Sequence, residues 1–147
     1  MIELHVASNI SSTWVLDTGC GTNICNSCHG LRSARHIRAE EAPNLGLGDG
    51  SRIITRVVGV FDLHLSNGFV ISLDPCYLVD NLIRNIVSVS YLFKLGLEIN
   101  FSVNGCSLLS SDKTIICDAH IDNGIHVLNT DYKTTLSIEQ GTKRQRE

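Results

Sequence analysis

The chain has 147 residues, of which 43% are hydrophobic and 18% are charged, with a formal net charge of -3. These values are typical of one globular domain and argue against wholesale disorder. The weak negative charge excludes a domain-wide basic face, so we expect no nucleic-acid binding by this domain. No run approaches the roughly 18 apolar residues of a membrane helix, and the N-terminus lacks a signal-peptide pattern. We therefore expect an intracellular, cytoplasmic protein with no membrane contact, whose six cysteines are reduced thiols.

The first predicted element is a short apolar run over residues 14–16, which ends at Asp17 and is followed by Thr18 and Gly19. The run predicts a buried strand whose end delivers one carboxylate into a tight turn. Glycine allows backbone conformations that a Cβ forbids, so the turn can fold closely around Asp17, and the Thr18 hydroxyl can lock it. Two interpretations fit: an ordinary turn after a strand, or one half of a pair of aspartates that share a proton and hydrolyse peptides.

The middle of the sequence predicts strands separated by turns. Residues 20–44 are interpreted as mostly loop, because their apolar residues lack a regular spacing. The triplet Gly48-Asp49-Gly50 then predicts a tight hairpin, since these residues tolerate positive φ. Asp74-Pro75 is expected to break a strand, because proline cannot donate a ladder hydrogen bond. The strands predicted around these breaks cover residues 53–65, 69–73 and 76–79, with a further hairpin turn at residues 67–68.

One helix is predicted, over residues 86–95. Asn85 fits its N-cap, where a side chain can satisfy an unpaired backbone N–H, and Gly96 fits its C-terminal stop. The next strand, residues 97–103, alternates apolar and polar side chains. Its predicted inward residues are Leu97, Ile99, Phe101 and Val103.

The last part of the pattern contains two further hairpin turns, at Asn104-Gly105 and Asn123-Gly124, which flank strands near residues 106–109 and 114–117. Turns recur often and only one helix is predicted. This combination indicates an all-β fold, and a small closed β-barrel is the architecture that fits it best.

Four segments in order resemble the retropepsins, the dimeric aspartic proteases of retroviruses and retrotransposons. The likeness is greatest to the protease region of Copia-type LTR retrotransposon Gag-Pol polyproteins. The segments are W-V-L-D-T-G at 14–19, L-G-D-G at 47–50, N-I-V-S-V-S-Y-L at 85–92 and N-G-I-H-V-L-N-T at 123–130. The resemblance implies a retropepsin-like barrel with one short helix over residues 13–130. Residues 1–12 would be a linker, and residues 131–147 a polar tail toward a pre-integrase region.

The resemblance also implies a homodimer in which each chain contributes Asp17, and the Asp-Thr-Gly triplet does occur once in this sequence. Thr18 would cross-bond the two active-site loops and Gly19 would shape the turn. Gly48, Asp49 and Gly50 would lie in a flap that closes over an extended peptide. The implied substrate is a Gag-Pol polyprotein, processed in the cytoplasm or within virus-like particles. No metal and no organic cofactor is implied.

Three alternatives compete with this interpretation. Cys20, Cys25 and Cys28 have the spacing of a plant-type [2Fe–2S] ferredoxin, which would make the protein an electron carrier with Cys76 or Cys106 as fourth ligand. A weaker alternative is a zinc site built from two cysteines and two histidines. Those four residues are Cys25, Cys28, His29 and His36. The third alternative is a catalytically inactive, domesticated barrel that acts as a binding or dimerisation module.

Overall fold

The fold is described by a computed structural model for residues 11–46 and 52–131. This part of the chain is mostly β, with one short α-helix, as the sequence predicts. A 3-10 turn at Ala39–Glu41 lies between the third and fourth strands. The elements are β1 (Trp14–Asp17), β2 (Asn23–Cys25), β3 (Leu31–His36), β4 (Leu45–Gly46), β5 (Arg52–Ile53), β6 (Val57–His64), β7 (Val70–Leu78), β8 (Asn85–Ser88), α1 (Val89–Lys94), β9 (Glu98–Ser102), β10 (Gly105–Leu109), β11 (Ile115–Asp122) and β12 (Ile125–Leu128).

Ten of the strands form a single mixed sheet in the order β3-β6-β7-β2-β8-β1-β12-β11-β10-β9. Strand β1 lies in its interior, parallel to β8 and antiparallel to β12. Strand β2 likewise runs parallel to β7. Strands β4 and β5 form a separate two-stranded ribbon. Within the described residues, β3 and β9 are therefore the two edges of the main sheet.

The sheet curls, so that strands distant in its order come into contact. An isolated bridge joins Leu65 to Thr130, and the Ser66 N–H donates to the Asn129 carbonyl at 3.0 Å. The end of β6, second in the sheet order, thus meets the chain that follows β12, seventh in that order. Because the sheet curls, apolar side chains from both of its halves face one interior.

The interior is centred on Trp14 of β1 and Phe61 of β6, whose rings lie 4.7 Å apart at 52°. Leucines from β6, β7 and β10 surround this pair, and each large apolar side chain that is fully buried contributes about 1.5–3 kcal/mol. These leucines are Leu63, Leu73 and Leu108. A second small cluster unites Ile24, Leu45 and Val79 near the ribbon. The ribbon is therefore attached to the domain through Leu45 of β4, and Ile53 of β5 also packs against this cluster.

Most of residues 20–44 lie outside strands, as predicted, but the prediction missed two strands within this segment. All three residues of β2 are buried between β7 and β8. Strand β3 is exposed along most of its length and pairs with β6 through an irregular register. Neither strand carries an alternating apolar pattern, since one is buried on both faces and the other lies at an edge.

The prediction that Asp74-Pro75 breaks a strand is wrong, because β7 continues to Leu78. Gly59 pairs with Cys76 and Phe61 with Leu73, so Asp74 and Pro75 together face the single residue between those two on β6. Such a β-bulge leaves the extra residue outside the hydrogen-bonded ladder. The proline therefore lies where no ladder N–H is required.

The helix begins at Val89, three residues later than predicted, and its N-cap is Ser88 rather than Asn85. The Ser88 Oγ accepts a hydrogen bond from the Tyr91 N–H at 3.3 Å. Residues 85–88 form β8 instead, since the β-branched Ile86 and Val87 suit a strand and pair with β1. Among residues 11–46 and 52–131, no helix combines the length and the apolar character needed to cross a membrane.

The inward direction predicted for Phe101 and Val103 is wrong, since they are 54% and 89% exposed. Strand β9 is an edge of the sheet, and Val103 lies in the turn that follows it. Leu97 and Ile99 do pack against the main core. The three predicted Asn-Gly hairpin turns are confirmed, and each connects consecutive antiparallel strands.

Arg32 of β3 is tied to β6 by an ion pair with Asp62, whose atoms approach to 2.7 Å, and the Ser72 hydroxyl donates to the same carboxylate. The Arg32 guanidinium, and secondarily Ser72, hold the pKa of Asp62 below its ordinary value. A lowered carboxyl pKa stabilises the folded state above the unfolded-state pKa of about 4, and this stabilisation is lost as pH falls through the folded-state value.

We expect Asp62→Asn to lower the free energy of unfolding at pH 7 by a small amount, because the pair is largely exposed and screened by solvent. The difference from wild type should shrink as the pH is lowered below about 4. Urea unfolding at several pH values measures both quantities. A double-mutant cycle with Arg32→Gln is the control, and a coupling between the two residues that persists unchanged in acid would contradict the assignment.

Candidate active site

Asp17 is the last residue of β1, and this strand has a neighbour on each side. Strand β8 runs parallel to it, with Ser88 in register with Asp17. Strand β12 runs antiparallel on the other side. The predicted strand that ends at Asp17 is confirmed. Because both flanks of the strand are paired, the position from which its terminal carboxylate emerges is fixed.

The turn after β1 folds back onto the carboxylate of Asp17. The Gly19 N–H donates to the Asp17 Oδ1 at 2.7 Å, and a Cβ at Gly19 would lie 3.4 Å from that oxygen. Asp17 is half-buried, whereas Thr18 and Gly19 are exposed at the end of the turn. The three residues therefore form a compact turn whose outer side is accessible to another molecule, and their predicted roles stay predictions.

The predicted flap residues Gly48, Asp49 and Gly50 lie outside the described residues. The strands on either side of them are described, and Leu45 pairs with Ile53 in an antiparallel register. These two strands form the base of the ribbon. The substrate-binding role given to the triplet stays a prediction.

Two buried polar residues that sequence reasoning missed hold the turn from the inside. The Ser88 Oγ donates to the Cys20 carbonyl at 2.8 Å, and the Ser88 N–H donates to the Asn23 Oδ1 at 2.9 Å. The Asn23 amide in turn donates to the Pro75 carbonyl at 3.2 Å. The sequence signal for them was weak, since each lies at the end of a short strand whose central residues are apolar.

Asn85, predicted as a helix cap, connects strands instead. Its Oδ1 accepts from the Asn26 N–H at 2.8 Å, and its Nδ2 donates to the Thr13 carbonyl at 3.1 Å. Asn26 donates from its own amide to the carbonyls of Ser11 and Leu82. This second polar group lies at the start of β1, so hydrogen bonds hold both ends of the strand that carries Asp17.

The cysteines predicted as ligands differ in their surroundings: Cys25 is buried, Cys20 is half-buried and Cys28 is exposed. Within the described residues, no group of three or more histidine, cysteine or acidic side chains is placed to hold a metal ion. This finding weighs against both the iron–sulfur and the zinc alternatives. Burial raises the pKa of the Cys20 thiol, and the nearby charge of Asp17 adds to the effect.

Among the thiols, we expect Cys28 to react fastest with a disulfide reagent such as DTNB in the folded protein. Burial raises the pKa of Cys117 to about 11 and also raises that of Cys106, whereas the pKa of Cys76 is raised first by its hydrogen bond with Cys25 and second by burial. Because the thiolate is the reactive form, these buried cysteines should react only on unfolding. The measurement is the thiol titre over time, with peptide mapping. Loss of the fast phase in Cys28→Ser is the control, and fast native labelling of Cys117 would contradict the burial described.

The chain thus folds as a β domain with an acidic turn at the end of an interior strand. Residues 14–97 match the family described as Pol polyprotein, beta-barrel domain. The match covers more than half of the chain, and the chain belongs to this family. It is a β-barrel domain of a retrotransposon Pol polyprotein. No match was found among curated proteins or among solved structures.

Proposed function

We propose that this domain is an aspartic endopeptidase of the Copia type, which acts as a homodimer with a retropepsin-like closed barrel in each subunit. The observation that carries the proposal is the position of Asp17. It ends a strand paired on both flanks and begins a turn that the Gly19 N–H closes onto its carboxylate. A carboxylate held by rigid elements and open on its outer side is suited to act on another molecule.

The proposed dimer follows from the number of acids that the reaction needs. The Asp-Thr-Gly triplet occurs once, so one chain supplies one acid of this kind. Two Asp17 carboxylates about 3 Å apart cannot both ionise, so they share one proton. One then removes a proton from the attacking water, while the other protonates the carbonyl or the leaving group. The exposed Thr18 is available to bond with the opposite turn.

The ribbon of β4 and β5 also supports this proposal, because a ribbon of this kind can cover a bound substrate. Its base is anchored through Leu45, which is 7% exposed and packs in the cluster with Ile24 and Val79. A two-stranded ribbon can hold an extended peptide through backbone hydrogen bonds and exclude water during the reaction. Because the family is a Pol polyprotein domain, the proposed substrate is the Gag-Pol precursor, in the cytoplasm or in virus-like particles.

The direct test is incubation of the purified chain with its Gag-Pol precursor, with and without pepstatin. We expect discrete cleavage products, inhibition by pepstatin, and a rate that rises faster than linearly with enzyme concentration near the dimer dissociation constant. A rate strictly proportional to concentration at all dilutions would argue against a dissociable dimer. Dimerisation without any cleavage would favour the catalytically inactive, domesticated barrel.

A further inference from the structure

Buried polar side chains are concentrated around β1, the strand that ends at Asp17. The described residues contain four buried polar side chains, and three of them lie where β1, β2 and β8 meet: Asn23, Asn85 and Ser88. Both Asn23 and Ser88 are 0% exposed. Burying such groups costs free energy unless they form hydrogen bonds, and an unsatisfied group is costly. Their concentration at one place indicates that this place needs directional contacts.

Ser88 lies next to the turn along its whole length. Its hydroxyl donates to the Cys20 carbonyl in the middle of the turn, and its N–H donates to Asn23 immediately after the turn. Its backbone is also in register with Asp17, immediately before the turn. One buried residue therefore contacts or adjoins the start, the middle and the end of the segment that presents the carboxylate.

We propose that Ser88 and Asn23 are positioning residues that set the direction of the Asp17 carboxylate, an inference that rests on the proposed endopeptidase function. Asp17 accepts its hydrogen bond from Gly19 in the same turn, so the carboxylate follows any movement of the turn. Catalytic groups must be held to within about 0.5 Å of their productive geometry. A displacement of about 1 Å can cost about 100-fold in rate.

Steady-state kinetics of the full-length chain at dimer-saturating concentration separate positioning from folding. We expect Ser88→Ala to lower kcat by about 10- to 100-fold with KM within about twofold of wild type, because the peptide still binds while the acid pair is misplaced. The acid limb of the pH profile should also move, since the coupling between the two acids changes with their separation. Ser88→Thr keeps the hydroxyl and should restore most of kcat.

The matched control is Ser90→Ala, which removes the hydroxyl that lies 2.9 Å from the Ser88 Oγ but leaves the contacts of Ser88 with Cys20 and Asn23 intact. It should resemble wild type in kcat and pH profile. If Ser88→Ala does not fold, the Ser88→Cys variant is measured instead, since it replaces the hydroxyl by a weak donor of similar size. Equal kcat values for the Ser88 and Ser90 variants would overturn the positioning role.

Amide hydrogen exchange over residues 18–22 gives a readout that does not need activity. Faster exchange in Ser88→Ala than in Ser90→Ala supports the attachment of the turn, and equal exchange overturns it. If Asp17→Asn leaves the cleavage rate unchanged, the proposed function fails, and the exchange result then decides alone whether Ser88 holds the turn. The two failures are therefore distinguishable.

Discussion

Asp17→Asn is expected to lower the rate of precursor cleavage by about 100- to 10,000-fold, the usual contribution of a general acid–base group. In the proposed dimer the two acids share a proton that an amide cannot take or give, so the variant would no longer activate the attacking water. The fold should persist, because the amide oxygen can still accept the hydrogen bond from the Gly19 N–H. The wild-type rate should follow a bell-shaped pH profile shifted to the acid side.

The rate is measured by product formation from the precursor, with sedimentation to establish that the variant is dimeric. Asp118→Asn is the matched control, since it makes the same chemical change at an exposed position on β11, where the carboxylate accepts a hydrogen bond from the Ser107 hydroxyl. It should cleave at the wild-type rate. A dimeric Asp17→Asn protein with an unchanged rate would remove the catalytic assignment.

Gly105→Ala is expected to destabilise the fold by about 2–6 kcal/mol, which combines backbone strain with overpacking. Gly105 has φ +147°, where residues with a side chain are strained, and a Cβ there would lie 2.2 Å from the Ala119 carbonyl oxygen. That oxygen belongs to β11, the central partner of β10, so the clash must displace strand against strand. The position demands glycine for two independent reasons.

Thermal unfolding measures the effect of Gly105→Ala, and for a domain of about 150 residues the expected fall in Tm is about 5–20 °C. Gly124→Ala is the matched control, with φ +80° and no atom within 4 Å of its added Cβ. It should therefore show the backbone strain alone, about 1–2 kcal/mol. An equal fall in Tm for the two variants would show that the contact with the Ala119 carbonyl does not restrict the residue at position 105.

Local chemistry was sufficient to predict the Asp17 strand and the hairpin turns. In the sharpest case, Asn123 and Gly124 both have positive φ, at 52° and 80°, the conformation that their residue types favour between two strands. The strand before Asp17 is short, apolar and paired on both flanks, so its own residues indicate its burial. Such features depend on neighbours in the sequence, and the sequence displays them.

Contacts between distant residues decided the features that were mispredicted. Residues 85–88 carry an N-cap candidate and a plausible helical face, yet they pair with β1, more than 60 residues earlier, and form a strand. The contact between Ser88 and Asn23 also joins residues 65 positions apart. No local pattern reveals which buried polar side chain will meet which turn. The inner support of the candidate site was therefore invisible in the sequence, although its acid was not.

The family match ends at residue 97, but residues beyond that point also contribute to the hydrophobic core. Strand β12 covers the second flank of the strand that carries the acid, and Leu108 and Leu128 share a core with Trp14. A chain that ended at residue 97 would leave one flank of β1 unpaired and the hydrophobic core open to water. A segment that recombination transfers between polyproteins must therefore include β9–β12, the four strands after residue 97, if the transferred domain is to keep its core.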